Sequence, residues 1–67
     1  MEPNEIWQTI IKADELLKYA TAERSAQRRE QAKALLEEAL SAAEESGNEQ
    51  LVTQARTRLA DLGEPDA

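Results

Sequence analysis

Apolar residues recur near the start of the chain at Ile6, Ile10, Ala13, Leu17 and Ala20, in steps of four and three. At 100° per residue such steps keep the side chains within ~40° of one line, the pattern of an amphipathic helix. Pro3 suits a first helical turn and Asn4 suits an N-cap, so the helix is expected to begin there. Carrying the phase onward reaches Arg24, Gln27 and Gln31, and the apolar stripe is lost. It restarts as Ala32, Leu36, Ala39 and Ala43, flanked by Leu35, Leu40 and Ala42. A third stripe follows as Leu51, Val52, Ala55, Leu59 and Leu62. Between the second and third stand Gly47 and Asn48, a left-handed helix end followed by a cap for the next helix. Gly63 and Pro65 close the third.

The pattern predicts three helices over about 4–20, 25–46 and 49–62, in a single domain of residues 1–67 with a disordered tail over 64–67. The loss of phase places a turn near Thr21–Ser25, with Thr21 or Ser25 as cap. One continuous helix over 4–46 competes with this reading, because no glycine or proline interrupts that span. Glu5 complements the first helix dipole, and Asp14 with Lys18 makes an i,i+4 pair. No window alternates and β-branched residues are sparse, so strands are not expected. Short links make neighbouring helices antiparallel. The expected fold is all-α, a three-helix antiparallel bundle.

Composition narrows the function more than the fold. The 67 residues contain no histidine and no cysteine. Imidazole bases, thiol nucleophiles, thiolate metal sites and disulfides are therefore excluded. A single core below ~70–80 residues usually needs a disulfide, a metal or a partner chain. With no disulfide and no metal expected, a partner chain is the remaining support. Eight basic against 14 acidic residues give a net charge of −6, which repels nucleic acid and acidic membrane surfaces. The uncharged stretches reach only six residues, as in Ile6–Ile11, against the ~20 apolar residues of a membrane span. The N-terminus is acidic where a secretory signal is basic, and the expected location is cytoplasmic.

Residues 31–63, QAKALLEEALSAAEESGNEQLVTQARTRLADLG, resemble tetratricopeptide-repeat sequence. Ala32, Leu36 and Ala39 are similar in spacing to the small-large-small trio of that repeat's second helix. Leu51, Ala55 and Leu59 resemble the first helix of a following repeat. Trp7, Ile10 and Ile11 are similar to the Trp-x-x-Leu-Gly opening of a first helix, with Ile11 in place of the glycine and Asp14 in place of the usual tyrosine. Glu44 stands where the family places a closing proline, and the span from Trp7 to Ala32 is longer than in the ordinary repeat. The resemblance implies a tetratricopeptide-like αα-hairpin in the C-terminal half and a protein- or peptide-binding scaffold without catalytic activity. Such repeats bury their apolar faces on neighbours. With about one and a half repeats in the chain, a second copy is the simplest neighbour.

The carboxylate pairs Asp14-Glu15, Glu37-Glu38 and Glu44-Glu45 are adjacent in sequence, and adjacent helical residues diverge by 100°. They read as solvated faces, neither an acid/base pair nor a metal site. No Ser-x-x-Lys spacing and no glycine-rich phosphate loop occurs. Neither an enzyme nor a cofactor or small-molecule substrate is expected. The basic cluster Arg24, Arg28, Arg29 and Lys33 is either a solvated face answered by Glu23, Glu30 and neighbouring acids, or a docking site for an acidic peptide. Trp7 and Ile11 lie ~100–140° from the main stripe, and Leu16 with Tyr19 lies on the opposite shoulder. They either widen the buried stripe or form a hot spot for another chain.

The expected function is a small acidic helical protein–protein interaction module that self-associates as a homodimer. Trp7, Ile11 and Leu16 are its apolar contacts, and Arg24, Arg28, Arg29 and Lys33 are open to a protein partner. Neither nucleic acid nor membrane is an expected partner. The alternatives are a monomeric adaptor for an amphipathic helix or acidic peptide, and an acidic mimic that regulates a nucleic-acid-binding protein.

Overall fold

A computed structural model of the protein describes residues 1–19, 21 and 23–63. Its helices are α1 (Pro3–Lys18), α2 (Ser25–Ser46) and α3 (Glu49–Gly63), with no strand among the described residues. The expected helix end at Ala20 and the expected disordered tail 64–67 fall outside the described residues. The chain is an all-α three-helix bundle, and the continuous helix over 4–46 does not form. One unbroken helix would leave the stripes of α1 and α2 both in water. Folding α1 back onto α2 buries each against the other.

Local chemistry sets each boundary. Pro3 occupies the first helical position of α1, which moves the N-cap to Glu2 rather than the expected Asn4. Glu5 reaches back, and its Oε1 accepts the Glu2 N–H at 2.9 Å. Before α2 the Arg24 N–H donates to the Thr21 carbonyl at 3.1 Å and lies 3.3 Å from its Oγ1. Thr21 thereby holds the turn, and Arg24 is the N-cap in place of the expected Thr21 or Ser25.

The 47–48 link forms as expected. Gly47 takes a left-handed conformation with φ +72°, and its N–H donates to the Glu44 carbonyl at 3.2 Å. The Asn48 N–H donates to the Ala43 carbonyl at 3.0 Å, which completes a Schellman closure of α2. Asn48 Oδ1 then accepts the Leu51 N–H at 3.2 Å, so one residue ends α2 and starts α3.

The core is small-residue packing. Ile6, Ile10 and Ala13 of α1, Ala32, Leu36, Ala39 and Ala43 of α2, and Ala55 of α3 are completely buried. Five of these eight are alanine, so the backbones approach closely while Ile6, Ile10 and Leu36 fill the gaps. Leu17, Leu51, Val52, Leu59 and Leu62 pack around this centre and stay half-buried. Helix α2 is the shared surface: α1 and α3 each lie along it and touch one another only slightly. The result is a flat array of 37 × 25 × 13 Å, with two broad faces.

A methyl group added at Gly47 would meet nothing within 4 Å, so only the positive φ opposes a side chain there. Gly47→Ala is expected to lower stability by about 1 kcal/mol in urea unfolding, and Gly47→Asn by less, since asparagine tolerates the left-handed region. Equal losses for the two would show that space around the turn, not φ, is the constraint.

Candidate protein-binding surface

Trp7 projects from α1 towards α3 and remains 38% exposed. The Arg58 guanidinium of α3 lies over its ring, 5.7 Å from the centroid. Arg58 Nε–H points between the two carboxylate oxygens of Asp14, at 2.9 and 3.0 Å. Its Nη1 donates to Gln54 Oε1 at 2.7 Å and to the Gln54 carbonyl at 3.1 Å. Asp14 therefore pairs across helices with Arg58 rather than with Lys18, whose ammonium instead sits 5.6 Å from the Tyr19 ring centroid. This strut joins the two helices that otherwise barely meet. The guanidinium has the reach and the number of donors to hold carboxylate, amide and ring at once, which an ammonium lacks.

Ile11 is half-buried on the outside of α1, beside a shallow depression shared with Gln8 and Glu15. Leu16 points from the other shoulder of that helix. With Lys12, Glu15, Tyr19 and Arg28 it lines a cleft of about 240 Å³ where α1 meets the start of α2. Tyr19 is the most exposed aromatic residue there, at 69%. Trp7 and Leu16 thus open onto different faces, one beside α3 and one beside α2.

The four basic residues of α2 also divide. Arg28 leans towards α1 and the Leu16 cleft, with Arg24 one turn before it. Arg29 turns the other way, and its Nη2 donates to the Leu62 carbonyl of α3 at 2.6 Å. A cation there complements the negative end of the α3 dipole, so Arg29 helps to fasten α3 while its side chain stays exposed. Lys33 is exposed one turn beyond Arg29. None of the four makes an ion pair with Glu23 or Glu30, and the pairs formed among the described residues are Arg56–Glu44 at 3.3 Å and Arg58–Asp14.

The antiparallel course of the helices sorts charge along the bundle. All eight lysines and arginines fall within 12–33 or at 56 and 58, while 1–11 and 35–55 carry carboxylates alone. The run 12–33 lies at the end where α1 finishes and α2 begins, and the carboxylates of 37–49 lie towards the end of the 47–48 link. Arg56 is the cation nearest that link, and Glu44 already holds it. Sequence reasoning saw the basic cluster but missed this polarity, and it missed Arg58 and Lys12. The signal was present in the spacing of charges; reading it required the order in which the helices reverse.

Among the described residues no group of three or more carboxylates converges to hold a metal, and no helix is long and apolar enough to cross a membrane. No family model, no curated protein and no solved structure matches the chain.

Trp7→Ala and Arg58→Ala are each expected to lower stability by about 1–2 kcal/mol, the scale of a half-exposed ion pair plus a ring contact. The double variant should lose about 0.5–1 kcal/mol less than the two single losses combined, because both remove the same contact. Additive losses in a urea double-mutant cycle would mean that the ring and the guanidinium are energetically independent.

Proposed function

We propose that the chain is a small acidic protein–protein interaction module on a tetratricopeptide-like helical scaffold, that it self-associates, and that it has no catalytic activity. The observation that carries this reading is how few large apolar side chains the fold buries completely: Ile6, Ile10 and Leu36. Leu16, Leu35, Leu40 and Ile11 stay half-buried, and Trp7 and Tyr19 are exposed. In an array this flat, a second chain is the most direct way to cover the remainder. The complete burial of the trio Ala32, Leu36 and Ala39, with Ala55 of α3, supports the tetratricopeptide-like element, since that trio works by close helix approach.

One observation favours a second reading, a monomeric adaptor for an amphipathic helix or acidic peptide. The exposed surface of 4576 Å² is close to the roughly 4,250 Å² expected of a folded monomer of this mass.

Light scattering over about a hundredfold concentration range separates the two by mass action. Self-association predicts a limiting mass of about 15 kDa, twice the 7.5 kDa chain. A mass of 7.5 kDa throughout overturns it in favour of the adaptor.

A further inference from the structure

Along the α1–α2 seam, α2 runs from a cation through an apolar centre to a carboxylate, a pattern complementary to its own inverse. Arg28, Leu35 and Ala42 are spaced by seven along α2 and are all half-buried; Arg28 lines the cleft against α1, and the spacing carries Leu35 and Ala42 along the same flank of α2. Just outside them, Arg24, Gln31, Glu38 and Glu45 follow the same spacing and are all exposed. Leu35 stands near the middle, eleven residues after Arg24 and ten before Glu45. At 1.5 Å per residue, the cation and the carboxylate lie about 16 Å to either side of it. The Leu16–Tyr19 cleft, bounded by Lys12 and Arg28, sits at the basic end of this seam. Beyond Leu35 there is no basic residue on α2 at all.

From this arrangement we infer that two copies of the chain pair antiparallel along the α1–α2 seam, with Leu35 near the two-fold axis and Arg24 of each copy opposite the partner's Glu45. The inference rests on the self-association proposed above and specifies its surface. A two-fold interface must be self-complementary, because each contact is made twice with the roles exchanged. A line with a cation at one end, an apolar residue at its centre and a carboxylate at the other meets that condition when a copy is inverted. Parallel pairing would set Arg24 against Arg24 and Glu45 against Glu45. Arg28 and Leu16 then face the partner's last turn of α2, where Ala42 is small and Glu45 is negative. Trp7, on the α3 side of α1, stays outside the contact.

The test uses the intact chain, light scattering and charge reversal at two exposed positions, with helix content checked by circular dichroism. Arg24→Glu alone and Glu45→Lys alone should each raise the dimer dissociation constant by about tenfold or more, since each makes two rim pairs repulsive at once. An equimolar mixture of the two variants should regain the mass of a dimer, because each reversed end then meets its opposite. Raising salt from about 50 to about 500 mM should narrow the gap between the wild type and the single variants, because screening weakens the attractive rim pairs of the one and the repulsive rim pairs of the others. If the wild type dimerises and both single variants dimerise equally well, the seam is not the interface, and self-association survives on another face. If the mass climbs past that of a dimer, the contact is open-ended and the antiparallel pairing is overturned. A wild-type chain that stays monomeric at both low and high salt overturns the pairing and self-association together.

Discussion

Helix α2 presents one stripe, Ala32–Leu36–Ala39–Ala43, to both of its neighbours, and every other feature of the fold follows from sharing it. Alanine at three of the four positions lets two backbones come close to the same surface, so the dispersion contacts are made largely by backbone and Cβ atoms. Ile6 and Ile10 from one side and Ala55 from the other complete the centre. Because the stripe is narrow, α1 and α3 lie side by side on it rather than closing a triangle around a larger core. That geometry makes the chain flat, and flatness leaves the larger side chains only half-covered.

The polar contacts compensate for a core of this size by holding the helix ends. The turn at Gly47 and Asn48 satisfies the last carbonyls of α2 and the first N–H of α3 with adjacent residues, so little chain is spent on the reversal. Arg29 ties the start of α2 to the end of α3, and Arg58 ties α3 to α1 through Asp14 and the Trp7 ring. Both arginines come from the small set of basic residues that sequence inspection would assign to a surface. Each is instead used where one helix end or face needs a positive charge from another.

Function in this reading is a property of what remains uncovered. A protein of net charge −6 repels copies of itself at long range, yet its charges are segregated so that the second half of α2 is free of cations. Segregation turns a uniform repulsion into an orientation-dependent one, in which an inverted copy is favoured over a parallel one at short range. The half-buried leucines supply contact area, and the charged rim chooses the register.

The apolar periodicity of α1, α2 and α3 and the chemistry of Gly47-Asn48 were legible from the chain alone, because helix phase and turn conformation depend on residues close in sequence. The buried positions Ile6, Ile10, Ala13, Ala32, Leu36, Ala39, Ala43 and Ala55 all fall on the stripes that this periodicity defines. The cap at Glu2 and the turn held by Thr21 were legible only to within a few residues, since several side chains compete for the same orphan N–H groups. Which residues meet across helices was decided by tertiary structure: Arg58 on Trp7 and Asp14, Arg29 on Leu62, Leu16 beside Arg28. These contacts join residues that are far apart in the chain and depend on the rotation and offset of one helix against another. Local sequence determines each stripe, but only packing determines which flank of a stripe faces a neighbour and which faces water.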